Sequence, residues 1–170
     1  ETIDYGPCAF IDVYDPATVF SSIDRTGRYA YGNQPSIAQW NLARLAECLL
    51  PLLAEDRDKA VEQAQDALSA FAARFNEAYL RGMRRKLGLS TEQDGELALA
   101  QDLLDRMAAG KADFTLTFRR LCEASLGPEG DAAIRCLFAE PASYDEWAVR
   151  WRQRLAGEPL DGPARWASMQ

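Results

Sequence analysis

There is no histidine among the 170 residues. A Ser-His-Asp or Cys-His mechanism is therefore excluded for this chain by itself. Cysteine is scarce: Cys8, Cys48, Cys122 and Cys136, with no C-x-x-C pair. A zinc site would have to gather all four or recruit carboxylates, and their spacing argues against it. Three of the four fall on apolar helix faces, so the expectation is reduced core thiols in a cytoplasmic protein. No run of about 18 apolar residues exists, which leaves no candidate transmembrane helix and no expected membrane partner. Positive charge is also in deficit. The net charge is −7, with 19 Lys and Arg against 26 Asp and Glu. A nucleic-acid partner needs clustered cations. The one dense basic run, Arg81, Arg84, Arg85 and Lys86, falls where a helix should end, and cations there complement the helix dipole. Internal repeats and low-complexity tracts are absent as well.

What the chain does contain divides at about residue 34. Residues 1–34 are rich in Gly, Asp, Pro and aromatics without sustained periodicity, and read as an extended or looped segment. Residues 35–170 read as consecutive helices, so the expected fold class is mainly α. Pro35 suits a helix start because its missing N–H would be unpaired there anyway. Ala38, Leu42, Leu45, Leu49 and Leu52 then recur at helical spacing, which predicts a largely buried helix ending near Pro51. A long helix over 57–87 follows, with Val61, Ala64, Leu68, Phe71, Phe75, Ala78 and Tyr79 inward and Gly88 as its stop. Ser90-Thr91-Glu92-Gln93 matches a capping box for a helix ending at Gly110. Asp113 suits the N-cap of the next helix, which carries Phe114, Phe118, Leu121 and Cys122 before Gly127-Pro128 breaks it. A short helix is expected near 131–139. Ser143-Tyr144-Asp145-Glu146 reads as a second capping box, with Tyr144, Trp147, Ala148, Trp151 and Leu155 on one face and Gly157 at its end. A last turn covers 163–169. The tryptophans at 147, 151 and 166 fit packing better than a ligand cage, because their spacing is helical.

Few residues have a pattern that chemistry requires. Asp4-Tyr5-Gly6-Pro7 could project a carboxylate from a tight turn, with Gly6 permitting the turn and Pro7 stiffening its exit. Phosphoryl-type chemistry on ATP uses a divalent cation, and hard cations take carboxylate oxygens. Read as residues alone, D-Y-G-P is equally a surface turn. Gly27-Arg28-Tyr29-Ala30-Tyr31-Gly32-Asn33-Gln34-Pro35 is the second stretch. There Arg28 could meet a phosphate or a nearby carboxylate such as Asp24, or these side chains could lock the loop onto the helices. Glu47, Asp56, Glu62, Asp66, Asp102 and Asp105 read as solvated charges on polar helix faces.

Taken together, the two stretches resemble the selenoprotein O family, the YdiU proteins of bacteria. Its pattern resembles DYGP-x-x-F-x-D, matched by Asp4 to Pro7, Phe10 and Asp12, then GRYAYxNQP and W-N-L-x-R-L, matched through Trp40, Asn41, Leu42, Arg44 and Leu45. Asp113-Phe114-Thr115 to Leu121 resembles a further D-[FY]-T-x-x-F-R-x-L stretch. The resemblance implies a protein-kinase-like fold, a pseudokinase by descent, of which this chain is the helical C-lobe portion. It implies transfer of AMP from ATP to hydroxyl side chains of protein substrates. Asp4 would bind Mg²⁺ or Mn²⁺ and through it the ATP phosphates. The family's phosphate-holding lysine, its glutamate and the catalytic loop with the base precede DYGP, so the base is expected upstream of residue 1. The 170 residues alone are then expected to be inactive. Two alternatives stay open: ordinary γ-phosphoryl transfer on the same fold, and a non-catalytic all-α interaction domain.

Overall fold

The computed structural model describes residues 11–170. Within them the chain is helical, with no strand and only one isolated bridge, between Val13 and Asp113. Residues 11–30 form turns and loop, as their composition predicts. The helices are α1 (Gln34–Leu53), α2 (Arg57–Ser69), α3 (Phe71–Lys86), α4 (Glu96–Ala109), α5 (Phe114–Ala124), α6 (Asp131–Arg135), α7 (Pro141–Ala156) and α8 (Gly162–Met169). None of them is long and apolar enough to cross a membrane. The described residues fall into two compact units. One holds Pro16–Ala78; the other holds 11–15 with Tyr79–Gln170.

In the first unit α1 packs on α2. Pro35 sits in the first turn of α1 as expected, and the helix runs two residues past Pro51. The expectation that α1 is largely buried is wrong: none of its twenty residues is buried. Leu45, Leu49, Leu52 and Leu53 all remain exposed. The predicted 57–87 helix is two helices. Ser69 turns its hydroxyl onto the Asp66 carbonyl at 2.8 Å, and the Ala70 N–H bonds Leu68 instead of Asp66. A serine hydroxyl that competes for the i−3 carbonyl weakens the helical ladder at that point. Asp56 is not a free surface charge, since its carboxylate caps α2 by accepting from the Asp58 and Lys59 N–H groups.

The second unit closes around tryptophan. Trp147 and Trp151, one turn apart on α7, are both 0% exposed and stack at 5.3 Å. Each indole N–H finds a carbonyl: Trp147 donates to Leu99 and Trp151 to Leu87, both at 2.9 Å. These bonds remove the cost of burying a polar N–H in an apolar core. Leu103, Met107, Leu121 and Ile134 are fully buried too. Tyr144 donates its hydroxyl to Asp131 at 2.6 Å. Burial, followed by that carboxylate, raises its pKa well above the ordinary tyrosine value.

Asp113 caps α5 as predicted, accepting from the Leu116 N–H at 2.7 Å. Both predicted capping boxes fail. Pro141, not Ser143, opens α7, and Ser143 lies inside the helix. Gly95, at φ +86°, precedes α4. Ser90 and Thr91 instead bind Glu158, 68 and 67 residues along the chain. The short helix near 131–139 stops at Arg135. Among the described cysteines only Cys122 is a core thiol, and burial raises its pKa; Cys48 and Cys136 are exposed, and none of the three is in a disulfide.

Candidate functional site

Asp4 and the rest of D-Y-G-P lie outside the described residues, as do Cys8 and Phe10. Asp12 offers its backbone carbonyl to the Phe114 N–H at 2.7 Å, and Tyr14 donates its N–H to the Ala112 carbonyl at 2.9 Å. Tyr14 is buried and stacks on Phe114 at 5.5 Å. Phe114 in turn meets Phe118 edge to face at 5.2 Å. The segment following the first motif is thus pinned to the start of α5, through residues of the third stretch singled out above. The side chain of Asp12 is exposed.

The second motif builds a braced loop in the first unit. Asp24 does not pair with the Arg28 guanidinium. Its two carboxylate oxygens accept the backbone N–H groups of Arg28 and Tyr29, each at 2.8 Å. Asn33 donates its side-chain amide to the Gly27 carbonyl at 2.8 Å, and Gln34 donates to the Tyr29 carbonyl at 2.5 Å. Gly27 holds φ at +68°, a conformation that favours glycine. Gly32 lies against Pro16: its N–H donates to the Pro16 carbonyl at 2.8 Å, and a Cβ there would meet that oxygen at 3.1 Å. Tyr31 donates its N–H to the Thr18 carbonyl at 3.0 Å. Most of the motif's polar groups therefore bind the loop to itself.

Arg28 is the exception. Its guanidinium lies over the Trp40 indole, 4.5 Å from the centroid, and 5.7 Å from the Tyr29 ring. Arg44 approaches the same indole at 5.4 Å while pairing with Glu47 at 2.7 Å. The two matched stretches, GRYAYGNQP and WNL, meet through this stack. Trp40 as a platform was not visible in the sequence, because twelve residues and a turn separate it from Arg28. The Asp24 clamp had one available signal, an Asp just before a Gly-containing loop, where a short carboxylate side chain can accept nearby backbone N–H groups.

The densest polar cluster belongs to the second unit. The Glu158 side chain has no exposed surface and pairs with Arg154. It accepts from the Ser90 N–H at 2.6 Å, the Ser90 hydroxyl at 2.5 Å and the Thr91 hydroxyl at 2.6 Å. Burial alone would raise its pKa. The donors outweigh burial and hold it at about 2. Arg154 also reaches Glu96 at 2.7 Å, and Arg84 pairs with Glu92 and Glu96. Asp102, expected to be solvated, holds Arg106 at 3.0 Å and also pairs with Arg150. These carboxylates are all matched by arginines or N–H groups, so the cluster ties α3, α4 and α7 together, and Arg154 Nε is its one buried donor without a hydrogen-bond partner. Among the described residues no group of three carboxylates or thiols could hold a metal ion.

Comparison with known proteins follows the motif reading. The family model described as "Protein adenylyltransferase SelO" matches residues 1–165. A protein of Rhodopseudomonas palustris (strain BisB5) named "Protein nucleotidyltransferase YdiU" is 61% identical over 170 residues, 100% of this chain and 35% of its own length. Proteins of the same name from Bradyrhizobium diazoefficiens and Methylorubrum extorquens (strain PA1) are 63% and 62% identical, covering 99% and 97% of this chain and 34% of each relative. The chain spans about a third of the length of these curated relatives.

Proposed function

This chain belongs to the protein adenylyltransferase SelO family, and on that premise we propose that the full-length protein transfers AMP from ATP to hydroxyl side chains of other proteins in the cytoplasm. The observation that carries the reading is Asp4-Tyr5-Gly6-Pro7 followed by Phe10, Asp12 and the GRYAYGNQP loop, all inside the matched region. Asp4 is the proposed ligand of Mg²⁺ or Mn²⁺. A carboxylate is the donor a hard cation takes, and the described residues contribute no cluster to replace it. One carboxylate is too few, so further ligands must come from outside the described residues. The cation, when bound, would offset negative charge on the ATP phosphates.

The described residues act by positioning. Tyr14, with the backbone of Asp12, fixes the chain that leaves the motif. Asp24, Asn33 and Gln34 hold the following loop in one shape. A carboxylate that must meet phosphates within a few tenths of an ångström needs such a frame, since preorganisation is where this chemistry gets its rate. The residues that hold and orient the nucleotide, and the base, would lie in the remaining length of the full protein. The 170 residues alone are accordingly proposed to be inactive.

The test uses full-length protein with Mg²⁺ or Mn²⁺ and ATP labelled on the α- or the γ-phosphate, beside Asp4→Ala. Protein labelling from the α-label alone, lost in Asp4→Ala, is the expected result. Label from the γ-phosphate alone would make the protein a kinase. No label from either, with Asp4→Ala behaving as the parent, would leave a binding domain.

A further inference from the structure

From the open apolar side of α1 we infer a docking surface for the part of the full-length protein that lies outside these 170 residues. The inference does not depend on which nucleotide group is transferred.

Of the twenty residues of α1 only Arg44 and Glu47 are charged. Ala38, Leu42, Leu45, Leu49, Leu52 and Leu53 share one broad face at helical spacing. A helix this apolar normally sits in an interior. Here Leu45 is 51% exposed and Leu52 80%. Beside this face runs a groove of about 450 Å³, bounded by α1, α2 and the first two turns of α3, with Leu45, Leu49, Leu68, Phe71 and Phe75 in its walls. A continuous apolar surface of this kind, in a chain with a quarter of its residues charged, marks a place where something else belongs.

The length comparison identifies the occupant. Relatives about 60% identical to this chain carry about two thirds of their length outside the matched residues. A segment of the same polypeptide is held near the groove at an effective concentration of order millimolar, which a second molecule does not reach in dilute solution. The expected occupant is therefore an apolar element of the same full-length chain, seated on Leu45, Leu49 and Leu52.

The experiment places a benzophenone amino acid at position 52 of the full-length protein, irradiates it, and identifies the joined peptide by mass spectrometry. The expected product is an intramolecular cross-link to a peptide outside the 170 residues, unchanged in yield on tenfold dilution. A cross-link confined to residues 1–170, a dimer that disappears on dilution, or no cross-link would each overturn the proposal. Hydroxyl-radical footprinting of the unsubstituted full-length protein guards against misfolding of the variant. Leu45 and Leu49 should be modified at least about tenfold more slowly in the native protein than in urea, and equal rates would overturn the proposal as well.

Discussion

The Arg28 guanidinium lies over the indole of Trp40, 4.5 Å from its centroid, while the Arg28 backbone N–H is held by Asp24. One residue thus joins the braced loop to the first helix that follows it. Trp40 is half exposed, so the attraction is that of a solvent-facing cation–π pair, about 0.5–1 kcal/mol. A double-mutant cycle of Arg28→Ala and Trp40→Ala, read by urea unfolding, should return a coupling of about that size. Additive single-mutant effects would mean that the stack contributes nothing.

Asp24→Ala removes an acceptor from two backbone N–H groups at once. Exposed N–H groups can turn to water, so the expected loss is about 1 kcal/mol or less in global stability. The local consequence should be larger. Trypsin cleavage after Arg25 and Arg28 should accelerate several-fold in Asp24→Ala and only slightly in Asp24→Asn, which keeps one oxygen acceptor. Identical cleavage rates in all three proteins would show that the clamp does not order the loop.

Glu158 gives a pH dependence with a definite sign. Its folded pKa, about 2, lies below the ordinary 4.5, so the folded state favours the carboxylate. The resulting stability is fully present above about pH 5 and is lost as pH falls from 4.5 toward 2. Glu158→Gln should flatten the fall of the urea midpoint across that window and lower stability at pH 7 by about 2–3 kcal/mol, since Arg154 loses a partner. A variant whose acid profile overlays the parent's would refute the assignment.

Trp151→Ala should be among the most damaging single changes in the second unit. It vacates a fully buried indole that stacks on Trp147, leaves the Leu87 carbonyl without its donor, and should cost about 3–5 kcal/mol. Trp151→Phe should cost less, because the ring volume is largely retained while the hydrogen bond is lost. Thermal or urea unfolding followed by tryptophan fluorescence measures both. A loss under about 1 kcal/mol for the alanine variant would contradict the packing described here.

Local chemistry is what the sequence by itself determined. The mainly α class, the loop character of 11–30, Pro35 at a helix start, Asp113 as a cap and the Trp147–Trp151 face all follow from periodicity, fixed φ or a side chain that reaches three residues ahead. The family motifs were legible for a related reason: they are contiguous. Tertiary structure decided everything that depends on a distant partner. Ser90 looked like a cap, but it donates its hydroxyl and its backbone N–H to Glu158, 68 residues on. Ser69 divided a continuous apolar stripe with one hydroxyl. Asp102 gained arginines from its own helix and from α7. Most tellingly, the pattern of α1 says that one face wants burial but carries no information on what is there to bury it; in these residues Leu45 and Leu52 meet only part of a neighbour, and their exposure is a property of the assembled structure alone.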